Sequence, residues 1–219
     1  MANANEVIDE AKGVLAETES KIRGHAFVVA IEAGQADRAA LQLFCGNQYQ
    51  MWKPNADATS VAMFRFSDHP YRAVFLTPPE VEAGAAAAFV ALGNRLGMDE
   101  FDRFEPSAEA FAYAAYKAWL ICYGSAAEIA CARALNLAAW GHNCGMMSRG
   151  LQEHFGLSVD ETAFLDGFSS LPSLEDRAAQ VIDYDLRRGV EPYVIIRAAR
   201  MMQDYERMFW DAMARQSGL

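Results

Sequence analysis

The chain has 219 residues, 53% hydrophobic and 22% charged, with a net charge of −10 at pH 7. That length and apolar content fit one soluble domain, residues 1–219, whose core needs no disulfide or metal to hold it. The acidic balance, with no basic run and no apolar run near the roughly 20 residues of a bilayer span, argues against nucleic acid and membrane as partners.

The opening residues, Met1-Ala-Asn-Ala-Asn-Glu6, lack the basic-then-apolar layout of a secretion signal. Cys45, Cys122, Cys131 and Cys144 form no C-x-x-C pair and lie in apolar helical surroundings, so reduced thiols and a cytoplasmic location are expected. From about Glu6 to Glu32, Val7, Ala11, Val14, Leu15, Ile22, Phe27, Val28 and Ile31 recur at mixed three- and four-residue spacing and predict helix. Gly24-His25 marks a break in it and Gly34 its end. Asp37 caps the next helix, which reaches Trp52 and stops before Pro54. Between Lys53 and Pro79 the periodicity fails; Val61-Ala-Met-Phe-Arg-Phe66 reads as helix or irregular structure, with a short strand as the alternative. Pro78-Pro79 open a helix to Leu96, closed by Gly97. Pro106-Ser107 open another to Cys122, and Ser125 caps a longer one to Phe155. Ser158-Val-Asp-Glu161 is a capping-box pattern leading into a helix to Ser169. Leu174 to Arg188 and Pro192 to Arg215 complete the series. No strand–helix alternation and no repeat interrupts it, so the predicted fold is an all-α bundle of about seven or eight helices.

Three clusters carry candidate chemistry. Glu206 sits in the stripe Met202-Tyr205-Glu206-Phe209-Trp210-Met213, on one helix face by its spacing. A carboxylate among apolar groups is costly unless paired or protonated, and acid–base chemistry is one reason to place it there; an ion pair with a nearby Arg is the bland alternative. Asn47-Gln48-Tyr49 puts amides beside Leu43, Phe44 and Trp52, a setting that can read the donors and acceptors of a heterocycle or simply be a polar helix face. Tyr113, Tyr116 and Tyr123 share a face by their offsets, with Trp119 and Trp140 nearby, either as core or as the wall of a small-molecule site. No Gly-rich phosphate loop and no G-x-S-x-G elbow is present. His25, His69, His142 and His154 lie far apart and make no helical Glu-x-x-His repeat, so no metal is expected.

Four stretches, in order and spacing, resemble the TenA/thiaminase-II family and its relative PqqC, the pyrroloquinoline-quinone synthesis oxidase. They are His25-Ala26-Phe27 with Gly34 and Leu41; Asn47-Gln48-Tyr49; Tyr113-Ala-Ala-Tyr116 with Gly124 and Ala127-Glu128-Ile129; and Tyr205-Glu206-x-x-Phe209-Trp210. The resemblance touches most of the chain and thins between Lys53 and Pro106. It implies a haem-oxygenase-like helical bundle, a homo-oligomer (dimer or tetramer), no cofactor, and a pocket for a small heterocyclic molecule. Glu206 and Tyr113 are then the catalytic residues, and Gln48, Asn47, Asn136, Trp140 and Tyr116 bind the ligand. The chain also departs from the family. The aspartate that holds the aminopyrimidine in family thiaminases is Gln48, and the tyrosine three residues later is Met51. The nucleophilic cysteine falls on Asn136, and the tyrosine four residues beyond it on Trp140. The expected activity is hydrolysis of an aminopyrimidine of thiamine salvage, with Glu206 as general acid/base. Two alternatives stand beside it: a PqqC-like oxidase acting on a heterocycle or quinone precursor, for which Asn47 is the matching residue, and a non-catalytic ligand-binding or regulatory member.

Overall fold

Helical periodicity, with side-chain caps at five of the helix starts, shapes the computed structural model, which describes residues 2–75 and 79–219. Among the described residues there are ten α-helices, two short 3₁₀ turns and no strand. The helices are α1 (Ala4–Arg23), α2 (Ala26–Glu32), α3 (Arg38–Trp52), α4 (Asn55–Arg65), α5 (Pro79–Arg95), α6 (Ala108–Tyr123), α7 (Ala126–Phe155), α8 (Ala163–Ser169), α9 (Glu175–Leu186) and α10 (Pro192–Ser217). The bundle is all-α, as the periodicity predicts. No described helix is long and apolar enough to cross a membrane.

Two local features raise the count above the expected number. The break at Gly24-His25 is complete: His25 adopts extended backbone and its Nδ1 accepts from Phe27 N at 3.3 Å, which starts α2 as a separate helix. The stretch after Lys53 that lacks periodicity holds α4, whose Arg65 donates to the carbonyls of Ile121 and Gly124 at the end of α6. A cation there meets unpaired helix carbonyls and the negative end of the dipole. Pro78, expected to open α5 with Pro79, lies outside the described residues. The Ser158–Glu161 box forms, with Ser158 N donating to Glu161 Oε2 at 2.8 Å, but it closes a turn, and α8 begins only at Ala163.

The 30-residue α7 runs through the middle and packs against α1, α2, α8, α9 and α10. Ser125 and Glu128 close a capping box at its start, and Gly156, at φ 69°, ends it in the left-handed conformation that glycine adopts without a Cβ clash. Two apolar clusters form around it. One gathers Phe27, Phe44, Trp140, Phe164, Phe209 and Trp210; the other gathers Leu15, Ile121, Leu135, Val181, Ile195 and Met202. Tyr113 packs against both, so it marks the seam between them.

Of the cysteines, Cys45, Cys131 and Cys144 are buried as expected, and burial pushes the Cys45 and Cys131 thiols up to about 12. Cys122 is instead exposed on the outer face of α6.

Candidate functional site

The seam carries the polar groups. α10 gives Met202 to one apolar cluster and Phe209, Trp210 and Met213 to the other, and Glu206 falls between them, 2% exposed. No guanidinium or ammonium forms an ion pair with it among the described residues. Its two oxygens meet neutral donors: Asn136 Nδ2 on α7 donates to Oε2, and Trp210 Nε1, one turn along α10, donates to Oε1 at 3.1 Å. The other end of the Asn136 amide accepts the Tyr113 hydroxyl proton at 2.7 Å. Tyr113, Asn136, Glu206 and Trp210 therefore form one hydrogen-bonded chain across α6, α7 and α10.

Burial pushes the Glu206 carboxyl up to about 8, against the pull of its two hydrogen bonds, which favour the ionised form. Burial also holds the Tyr113 hydroxyl well above the usual range for tyrosine, and the nearby Glu206 acts in the same direction.

These groups line a cavity of about 110 Å³. Its polar side is Gln48 from α3, Tyr113 and Lys117 from α6, Asn136 from α7 and Glu206 from α10. Its walls are aromatic and aliphatic: Met51, Trp52, Leu137, Trp140, Phe164, Phe168 and Phe209. Gln48 Oε1 is buried with no hydrogen-bond partner among the described residues. A buried carbonyl oxygen without a donor is costly, so it is a place for a ligand N–H. A second hollow, of about 290 Å³ beside Asp99, Glu100 and Asp102, is more open and has no such orphaned group.

Five of the seven expected site residues, Glu206, Tyr113, Gln48, Asn136 and Trp140, line this one cavity. Asn47 and Tyr116 do not. Asn47 is fully buried, but its Nδ2 donates to Leu43 O at 3.0 Å and its Oδ1 accepts from Ser107 N at 3.2 Å, which ties α3 to the cap of α6. Tyr116 stacks on Tyr205 and Trp119 and points its hydroxyl at Ala198 O, 3.5 Å away. The three tyrosines of α6 lie within about 80° of one another around the helix, but only Tyr113 lines the cavity, and Tyr123, at the helix end, is exposed. Cys131 is packed in the second apolar cluster, away from the cavity. No thiol lines the cavity among the described residues.

Lys117, Phe164 and Phe168 also line the cavity, beyond the expected residues. Lys117 follows Tyr113 by four residues, and Phe164 and Phe168 are themselves four apart, so helical spacing was the available signal for all three. Among the described residues no group of three or more His, Cys, Asp or Glu side chains is placed to hold a metal ion.

A buried carboxyl poised near neutrality, two amides and a phenol, enclosed by aromatic walls, can hold a small flat heterocycle and move a proton to or from it. The sequence profile of the TENA/THI-4/PQQC family matches residues 14–159. A TenA homolog from Pseudomonas syringae pv. tomato superposes with a TM-score of 0.82 at 11% identity, over 94% of this chain and 92% of that one. A TenA family transcription regulator from Silicibacter superposes at 0.72 with 15% identity, over 94% and 96%. Haem oxygenase-1 from the cyanobacterium Synechocystis, solved with haem, superposes at 0.64 with 14% identity, over 96% and 93%. At these identities the structural likeness establishes the haem-oxygenase-like fold. No curated protein matches the sequence.

Proposed function

The chain belongs to the TENA/THI-4/PQQC family, and from that premise we propose that it hydrolyses a C–N bond of a small aminopyrimidine, with Glu206 as general acid/base. The observation that carries this reading is a carboxyl on the cavity wall held at about 8 by burial. Proton transfer is most effective when the group's pKa lies near the working pH.

Gln48 supports the choice of ligand. Its amide offers an acceptor and a donor side by side, and its orphaned Oε1 calls for a ligand N–H. A ring nitrogen beside an amino group presents the complementary pair, as adenine does to an amide. The cavity of about 110 Å³ suits a single substituted ring, being well below the roughly 300–1,000 Å³ of pockets for drug-sized ligands.

Asn136 is an amide and not a nucleophile, so the attacking group in this reading is water. The water oxygen bonds to the carbon that carries the leaving nitrogen, and the C–N bond breaks. Ionised Glu206 takes the proton from the water and returns it to the departing amine. Trp52, Trp140 and Phe168 exclude other solvent and stack against the ring.

The test is a thermal-shift and turnover screen with 4-aminopyrimidines. At least one should raise the melting temperature of the wild-type protein. Glu206→Gln should keep that shift but lose roughly 100-fold or more in turnover, while Gln48→Ala should lose the shift. A screen in which no aminopyrimidine stabilises the protein, or in which Glu206→Gln keeps full turnover, would falsify the reading. A second reading is ligand sensing without turnover. It is favoured by the amide at Asn136 and by the regulator among the similar structures; binding with no product formed selects it.

A further inference from the structure

Both ends of the Asn136 amide are occupied. Its Nδ2 donates to Glu206 Oε2, and its Oδ1 accepts from the Tyr113 hydroxyl at 2.7 Å. That pattern matches an ionised Glu206, which can only accept. A protonated Glu206 needs an acceptor for its own hydrogen. Trp210 Nε1, 3.1 Å from Oε1, only donates. Of the two described groups bonded to the carboxyl, Asn136 alone can receive that hydrogen, and only with its amide turned over. The amide oxygen then faces Glu206 and the nitrogen faces Tyr113. The Tyr113 oxygen becomes the acceptor, and its hydrogen swings toward the cavity that both residues line.

We propose that Asn136 is a positioning residue whose amide couples the proton on Glu206 to the direction of the Tyr113 hydroxyl. With Glu206 ionised, Tyr113 shows the cavity a lone pair; with Glu206 protonated, it shows a hydrogen. The proton comes from solvent and ends on Oε2, and no other covalent bond changes. Burial enforces the match, because Asn136 is 3% and Glu206 2% exposed and an unmatched donor or acceptor there is costly. A carboxylate or a thiol at this position cannot exchange donor for acceptor by a half turn about one bond.

The charged and titratable groups around the relay come from three helices: Glu19 and Arg23 of α1, Lys117 of α6, and Arg133 and Cys144 of α7. Arg23 favours the ionised carboxyl and Glu19 the protonated one, while Cys144 is itself pushed toward its neutral form by burial. Because the carboxyl lies at about 8, both states are reached near neutral pH.

The test is infrared difference spectroscopy of the ligand-free full chain, titrated across about two pH units either side of the Glu206 value. A carboxyl band absent from Glu206→Gln should vanish at the same midpoint at which a tyrosine band absent from Tyr113→Phe shifts. In Asn136→Ala the carboxyl band should still titrate while the tyrosine band stays still. The proposal is overturned if the Tyr113 band does not move in the wild-type protein, if the carboxyl band does not titrate, or if the coupling survives Asn136→Ala. The wild-type titration decides the matter by itself should Asn136→Ala fail to fold. Only the effect on a bound ligand rests on the hydrolytic reading. Coupling without aminopyrimidine binding refutes that reading alone, and turnover without coupling refutes the relay alone.

Discussion

A carboxyl held at about 8 ties the stability of the whole chain to pH through one residue, Glu206. Below about pH 4.5 the folded and unfolded chains both keep the proton. Between there and about 8 only the folded chain keeps it, so unfolding releases a proton and rising pH favours unfolding. Above that both are ionised and the dependence ends. Urea titrations across this range should therefore show the wild-type protein losing on the order of 3–5 kcal/mol relative to Glu206→Gln as pH rises. A parallel pair of stability curves would contradict the shifted carboxyl. Trp210 supplies a second test at this scale. Trp210→Phe removes the donor to Oε1 while keeping an aromatic ring in the core, so the Glu206 midpoint should rise above the wild-type value in the same infrared titration.

Helix ends and helix crossings set the tolerance of each element. Ser125→Ala removes half of the box that starts α7 and leaves the Glu128 N–H without its acceptor, so a loss of about 1 kcal/mol is expected in urea unfolding. Two glycines on helices should respond in opposite ways to alanine. At Gly150 a Cβ would drive into the backbone of Ile31 and Glu32 where α2 crosses α7, and backbone cannot step aside as a side chain can. Gly150→Ala should cost about 1–3 kcal/mol or more. At Gly13, in α1, nothing lies within 4 Å of the added carbon, and the helix gains the propensity of alanine. Gly13→Ala should raise stability by up to about 1 kcal/mol. Helix starts at Asp37, Ser107 and Ser125 were legible in the sequence because a cap is a local contract between residues three apart, and that at Pro192 because proline's fixed φ suits the first turn. α4 was not, because Pro54 gives it no side-chain cap and its Arg65 bonds to the far end of α6, distant in sequence.

Across the molecule, buried polar groups join helices that are distant in sequence. Asp185 of α9 is 7% exposed; its Oδ2 accepts from Ala127 N at the start of α7, and its Oδ1 lies 3.4 Å from His69 Nε2. One carboxylate thus fastens α9 to the start of the central helix, and His69, in the turn after α4, lies beside it. Asp185→Ala leaves an orphaned N–H at a helix start and should cost about 2–4 kcal/mol. The denaturation midpoint should fall with an unchanged slope, since the surface exposed on unfolding stays the same.

By itself the sequence determined the helical class, most helix limits and the oddity of Glu206, because periodicity, caps and a charge in an apolar stripe act over a turn or two of one helix. It also set Gln48, Tyr113 and Trp140 among polar and aromatic clusters, and the family resemblance added Asn136. Only the tertiary structure decided which of these meet. The hydroxyl of Tyr113, the amide of Asn136 and the carboxyl of Glu206 come from three helices and join where two apolar clusters touch. The same packing turned Asn47 to the cap of α6 and Tyr116 to Ala198, since a buried amide or hydroxyl takes the nearest partner that satisfies it. Which partner is nearest depends on how the helices cross, a relation between segments that the local pattern of any one of them does not contain.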